Sequence, residues 1–122
     1  RADVLVGPHG AGLAWAAFLR GAGGLLELMP WMRWSGKYLC RGAAPGATPK
    51  SFYGGLSAWA GLQHACVPGR RCSGEPGSSD LMDEVRQWSK RSVCADITGM
   101  TTALRRMLVE VADARRAEQQ RV

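Results

Sequence analysis

The sequence predicts an α/β domain, a Rossmann-like parallel sheet with flanking helices. Two short apolar runs, at 4–6 and 25–29, have the length of strands and show no helical period. Helix-compatible residues lie between them at 13–19, after a glycine-rich turn. This order is that of a βαβ unit, whose two strands run parallel. A further run at 63–67 follows a second helical segment and predicts a third strand.

The two leading runs have clear boundaries. The run at 4–6 is followed by Gly7 and Pro8, and its uninterrupted apolar character suits a strand buried on both faces. The second run is ended by Pro30 and carries a single charged residue, Glu27. We expect Glu27 to mark the end of this strand, where it either accepts hydrogen bonds from a ligand or pairs with a cation at 33 or 37.

The turn after the first strand is the main chemical feature. Gly7, Gly10 and Gly12 have the spacing G-x-x-G-x-G, with His9 inside it. Glycines let a ligand approach the backbone closely, and the following helix offers free N–H groups and the positive end of its dipole. These features predict a site for a phosphate or pyrophosphate. The spacing is neither the dinucleotide fingerprint nor a P-loop, and it also fits a tight turn that binds nothing.

The second helical segment spans about 50–61. Ser51 is its expected N-cap and Gly61 its expected C-cap. Phe52, Leu56 and Trp59 recur at helical spacing, which is typical of a face packed against a core.

The remainder reads as a loop, a short helix, a short strand and a long helix. Residues 68–80 are rich in Pro, Gly, Ser and Arg and predict an exposed loop, and residues 81–90 a short helix. Residues 92–97 are a candidate fourth strand. Thr98 or Thr101 is expected to cap the last helix. Its core-facing stripe should be formed by Leu104, Met107, Leu108, Val111 and Ala112.

The charge of the chain bears on which classes of partner it can bind. The net charge is +6, but the basic residues are scattered and no aromatic-plus-basic RNA-binding signature occurs, so we expect a solvated surface and no nucleic acid partner.

Four cysteines permit two disulfides. His64 with Cys66 and Cys72 matches none of the common structural zinc patterns. Trp31, Trp34 and Tyr38 could stack a base or sugar, or form a small cluster under a loop.

The residues of the first stretch are similar to those of a known family. Val-Gly-Pro-His-Gly-Ala-Gly-Leu at 6–13, then Phe-Leu, then Leu-Leu-Glu-Leu-Met-Pro at 25–30, resembles the carboxy-terminal part of family 61 glycosyltransferases. These include the EGF-domain O-GlcNAc transferase and plant xylan xylosyl- and arabinosyltransferases. The match continues more weakly to about Val67. Ala14 and Trp15 depart from it, since polar residues are frequent there in the family.

The resemblance implies a function. The chain would be the donor-binding part of an inverting GT-B glycosyltransferase, which takes a UDP-sugar and needs no metal or other cofactor. Backbone N–H groups at 10–13 would hold the diphosphate, His9 would donate to a phosphate or sugar oxygen or else brace the turn, and Glu27 would accept from the ribose hydroxyls. The expected substrate-binding residues are therefore His9, Gly10, Ala11, Gly12, Leu13 and Glu27. No catalytic base is assigned.

The resemblance also implies a setting. Residues 1–122 would be a fragment of a longer, type II membrane-anchored protein in the lumen of the Golgi or endoplasmic reticulum, with a glycan or glycoprotein as acceptor. In that oxidising compartment at least one cysteine pair should be bonded, and Cys66 with Cys72 is the first expectation. The alternative function is a Rossmann-like binding module without catalysis. No G-x-S-x-G elbow points to a hydrolase.

Overall fold

A computed structural model describes residues 2–19, 21–31, 52–74 and 93–121 of the chain. Its elements in chain order are β1 (Val4–Pro8), a 3₁₀ helix (Ala11–Phe18), β2 (Gly24–Met29), α1 (Phe52–Ala60), β3 (Gln63–Pro68) and α2 (Ile97–Gln120). The three strands form one sheet in the order β1-β2-β3, and both neighbouring pairs are parallel. The predicted α/β class and the parallel pairing are therefore confirmed. The predicted helix at 81–90 and the Ser51 cap lie outside the described residues.

The central strand β2 is the most deeply buried of the three. All its residues except Leu28 are buried, and it is paired on both sides, with Gly7 and Cys66 opposite Glu27 in the register. The expectation that β1 is buried on both faces is wrong, because Val6 is 40% exposed. Within the described part of the chain, β1 has a neighbour on one side only, so it lacks the cover that β2 receives.

Two helical layers cover the sheet. The 3₁₀ helix and α1 pack on one face, where the core is formed by Leu13, Ala16, Leu25, Tyr53 and Leu62. The long helix α2 packs on the other face, with a core of Leu26, Val67, Met107 and Val111. Successive residues of a strand point to opposite faces. Glu27 therefore shares the face of Leu25 and points towards the 3₁₀ helix and α1.

The buried face of α1 differs from the expected one. Phe52 and Trp59 are 74% and 82% exposed, whereas Tyr53, Gly54 and Ser57 are buried. Leu56, the third residue of the predicted face, does pack against the core, so the apolar spacing was wrong only for Phe52 and Trp59. The small residues Gly54 and Ser57 lie on the face that meets the sheet, where they let the helix approach closely and leave the larger rings outside.

The ends of the helices match the sequence in one case and not in another. Gly61 has φ +68° and ends α1 as predicted, with the Leu62 N–H donating to the Ser57 carbonyl at 2.8 Å. The helix α2 begins at Ile97, so Thr98 lies inside it, and so does Thr101; the N-cap position belongs to Asp96. The expected threonine caps are therefore wrong.

Helix α2 presents most of its predicted stripe to the sheet. Met107 and Val111 are buried and Leu104 packs beside them, which confirms the amphipathic pattern there. Leu108 is the exception, since it is 49% exposed. No helix among the described residues is long and apolar enough to span a membrane.

A disulfide joins the segment after β3 to the segment before α2. Cys72 is bonded to Cys94, with their Cα atoms 5.4 Å apart, and Cys66 is disulfide-bonded as well. The expectation of a bonded pair is confirmed, but the expected Cys66–Cys72 pairing is wrong. The predicted strand at 92–97 is not seen in its described part: residues 93–96 form no strand and Ile97 begins α2. Cys94 makes only an isolated antiparallel bridge with Arg70, two residues before Cys72.

Candidate functional site

The three glycines of the predicted turn have two roles, and Gly7 lies inside β1 and not in the turn. A Cβ atom on Gly7 would lie 2.9 Å from Leu13 Cδ2, so this glycine allows the 3₁₀ helix to pack against β1. A Cβ atom on Gly10 or Gly12 would have no heavy atom within 4 Å. Gly10 is extended, with φ 160° and ψ 178°. The space beside Gly10 and Gly12 is therefore open to a ligand, and the Gly10 backbone does not require a left-handed conformation.

The N–H donors of this turn are fewer than the sequence suggested. The Leu13 N–H donates to the Gly10 carbonyl at 3.0 Å, which closes the first turn of the 3₁₀ helix. Among the described residues, no backbone carbonyl accepts the N–H of Ala11 or of Gly12, as is normal at the start of a helix. An anion at this turn would therefore meet the N–H groups of Ala11 and Gly12, while that of Leu13 belongs to the helix.

His9 lies where β1 leads into the turn. Its backbone N–H donates to the Leu28 carbonyl at 2.8 Å, which extends the β1–β2 pairing by one step beyond Pro8. Its ring nitrogen Nδ1 is hydrogen-bonded to Glu27 Oε1. The side chain keeps 15% of its surface exposed, so the ring borders both the buried carboxylate and solvent.

Glu27 is a fully buried carboxylate shared by two histidines. Its side chain is 0% exposed; Oε1 contacts His9, and Oε2 lies 2.9 Å from Nε2 of His64. It is in the interior of β2, two residues before Met29, and does not mark the end of the strand as expected. A buried carboxylate is costly unless it is hydrogen-bonded, and the two imidazoles contact both of its oxygens. A direct bond from this carboxylate to ribose would need exposure that it does not have.

Tyr53 of α1 contacts both the backbone of the turn and the ring of His9. Its hydroxyl donates to the Gly10 carbonyl at 2.5 Å. Its ring also meets the His9 ring edge-on, with the centroids 5.3 Å apart and the planes at 73°. The same residue therefore fixes both the backbone of the turn and the face of His9, and this is the bracing role that the sequence had offered to His9 itself.

The sequence interpretation missed His64 and Tyr53 as members of this site. His64 pairs with Leu25 in the register, so it lies on the same sheet face as Glu27. The alternation of side chains along β2 and β3 could have indicated this, had the register been known. Tyr53 belongs to the part of the chain over which the family resemblance continues more weakly, but it was given no role because the predicted buried face of α1 was a different one.

Aromatic and basic side chains also meet at the carboxyl edge of the sheet. The Arg71 guanidinium lies 5.5 Å from the centre of the Trp31 ring, in cation–π contact. Trp34 and Tyr38, which the sequence placed with Trp31, lie outside the described residues, as do the cations at 33 and 37. The guanidinium therefore occupies one side of the ring that was expected to stack a base or sugar.

The described residues contain no group of three His, Cys, Asp or Glu side chains arranged to hold a metal ion. The His9–Glu27–His64 cluster is a hydrogen-bonded network, in which both oxygens of the carboxylate face imidazole nitrogens. Comparison of the chain with protein-family models, curated proteins and solved structures gave no match. The glycosyltransferase resemblance therefore rests on the motifs around His9 and Glu27.

Proposed function

We propose that this chain is the donor-binding region of an inverting glycosyltransferase that transfers a sugar from a UDP-sugar to a glycan or protein hydroxyl. The observation that carries the proposal is the open turn at Gly10 and Gly12. It lies at the carboxyl end of a parallel strand, which is where ligands bind in open α/β sheets. The UDP-sugar and the inversion come from the family resemblance of the His-Gly-Ala-Gly-Leu motif.

The turn has the donors that a diphosphate needs. The N–H groups of Ala11 and Gly12 have no backbone acceptor among the described residues, and the helix dipole adds positive potential at the same point. Both glycines flanking Ala11 leave room for phosphate oxygens to reach the backbone. In glycosyl transfer, such donors would stabilise the negative charge that develops on the departing diphosphate.

Glu27 enters the proposal through its neighbours. Because its carboxylate is buried and hydrogen-bonded to two imidazoles, we propose that it acts on the donor by way of His9 and not by a bond to ribose. Tyr53 supports the same site, since its hydroxyl fixes the carbonyl of Gly10 directly before the donor N–H groups.

The test is a calorimetric titration of the chain with UDP. Gly10→Val and Gly12→Val should each weaken UDP binding about tenfold or more, because the added side chains fill the space that the phosphates would occupy. The new Cβ atoms meet no heavy atom within 4 Å, so both variants should fold, which circular dichroism checks. UDP should also bind more tightly than UMP, because the second phosphate adds contacts with the turn.

Gly21→Val is the matched control. A Cβ atom there also meets nothing within 4 Å, but Gly21 precedes β2 and so lies at the amino edge of the sheet, away from the turn. Its affinity for UDP should equal that of the unmodified chain. No binding of UDP, or equal loss in all three variants, would reject the donor site. Residues 1–122 alone are expected to be inactive, because they would be only the donor-binding fragment. The non-catalytic module would therefore be favoured if the full-length protein bound UDP but released none from any of a panel of UDP-sugars in the presence of acceptors.

A further inference from the structure

We propose that His64 is a positioning residue of this site: through Glu27 it orients the ring of His9, which the family resemblance places at the phosphates of the donor. The inference rests on the proposed function for its ligand, the diphosphate of a nucleotide sugar. It adds to that function a buried network that the sequence motif does not contain, because His64 and Tyr53 come from β3 and α1.

The first step is the proton on His9. An ionised carboxylate only accepts hydrogen bonds, so the ring nitrogen that faces it must carry a hydrogen. For His9 that nitrogen is Nδ1, and for His64 it is Nε2. The network therefore sets the two rings in opposite tautomers. Because Nδ1 is held by Glu27, Nε2 is the ring nitrogen through which His9 would meet a phosphate.

The second step is the position of His9. The residue directly precedes Gly10, and its ring keeps 15% of its surface exposed next to the turn that would hold the diphosphate. An imidazolium at this place would donate a charge-assisted hydrogen bond to a phosphate oxygen and add one positive charge to the two backbone donors. Among the described residues, Glu27 from β2 contacts Nδ1 of the ring, and Tyr53 from α1 meets the ring edge-on.

The third step is the role of His64. It donates to the second oxygen of Glu27, so the carboxylate is held from two sides and cannot rotate away from His9 without losing a bond. Removal of His64 should therefore change how His9 binds phosphate, although His64 is bonded to Glu27 and not to His9. Such an effect defines a positioning residue.

The first experiment needs no ligand. Nitrogen-15 spectra of the histidine rings should show the proton of His9 on Nδ1 and that of His64 on Nε2. In Glu27→Gln the amide has one acceptor oxygen and one NH₂ donor, so one of the two rings should lose its proton from the facing nitrogen. A His9 Nδ1 without a proton in the unmodified chain would overturn the proposal.

The second experiment uses pyrophosphate as the probe. Pyrophosphate should shift the His9 Nε2 resonance, and His9→Ala should weaken its binding about tenfold or more, as expected for loss of a charge-assisted hydrogen bond. His64→Phe keeps a ring of similar size but no donor and should weaken binding several-fold. His64→Gln keeps an N–H donor for Glu27 and should restore most of the affinity.

The pyrophosphate affinities of the two His64 variants separate a positioning role from a packing role. A positioning role predicts tighter binding by His64→Gln, whereas a packing role predicts tighter binding by His64→Phe. Gln63→Ala, the preceding position on the opposite face of β3, is the control and should leave affinity unchanged. Equal affinity in all three variants would overturn the positioning role. Binding of UDP without any shift at His9 would overturn this proposal and leave the donor site standing. If the chain bound neither UDP nor pyrophosphate, both this proposal and the proposed donor site would be overturned. If pyrophosphate bound at His9 but UDP did not bind, this proposal would be supported and the nucleotide donor site would be rejected.

Discussion

His64 Nε2 lies 2.9 Å from Glu27 Oε2, although 37 residues separate the two in the chain. The contact exists because β2 and β3 are parallel neighbours and place both side chains on the face covered by the 3₁₀ helix and α1. The carboxylate is completely buried, so its hydrogen bonds contribute to stability as well as to the site.

This relationship predicts an energetic coupling between Glu27 and His64. Glu27→Gln and His64→Phe should each lower the free energy of unfolding by about 1.5–3 kcal/mol, the range for a hydrogen bond to a charged group. The double variant should lose less than the sum, with an interaction energy of about 0.5–3 kcal/mol. Urea unfolding of the four proteins measures the cycle. Losses that add without an interaction energy would mean that the two side chains do not bond in solution.

Tyr53→Phe should reduce stability slightly and UDP affinity clearly. The change removes the hydroxyl that donates to the Gly10 carbonyl and keeps the ring against His9. We expect a loss of about 0.5–1.5 kcal/mol in the free energy of unfolding. Trp59→Phe on the same helix is the control; this residue is 82% exposed, so its stability should change by no more than about 0.5 kcal/mol. If Tyr53→Phe and Trp59→Phe lowered the free energy of unfolding equally, the result would argue against the hydrogen bond from Tyr53 to Gly10.

Gly24→Ala and Gly55→Ala should have opposite effects. A Cβ atom on Gly24 would lie 2.7 Å from Met107 Sδ and 3.1 Å from Val111 Cγ2, so this change should destabilise the β2–α2 packing by about 1–3 kcal/mol. A Cβ atom on Gly55, inside α1, meets nothing within 4 Å, and alanine there should stabilise the chain by about 0.5–1 kcal/mol. Thermal unfolding of both variants tests the packing of α2 on the sheet. If Gly24→Ala were neutral, α2 would not lie against β2 as described.

The Cys72–Cys94 disulfide should stabilise the chain by closing a loop. The two cysteines are 22 residues apart, and a cross-link of this length contributes about 3 kcal/mol. Replacing both by serine should lower the free energy of unfolding by that amount, without leaving an unpaired thiol. Peptide mapping under non-reducing conditions should recover residues 72 and 94 in one linked fragment. A linked fragment that joins 66 to 72 would contradict the structure and restore the pairing first expected from the sequence.

Much of the architecture was predictable from the sequence because its signals are local. The apolar runs that became β1, β2 and β3 are short and bounded by Gly or Pro, and the helix between the first two requires them to run parallel. Gly61 was recognisable as a C-cap because a left-handed residue after a helix is usually glycine. The apolar stripe of α2 was predictable because the polar residues on the rest of the helix make its helical period distinct.

The site was predictable only in part. The sequence by itself determined that a glycine-rich turn containing His9 follows a strand and that Glu27 lies in the next parallel strand. Only the tertiary structure decided that Glu27 is buried between His9 and His64, that Tyr53 holds Gly10, and that Cys72 bonds to Cys94. The physical reason is that periodicity and turn chemistry depend on neighbouring residues, whereas these partners are chosen by strand register and by which face of α1 can approach the sheet.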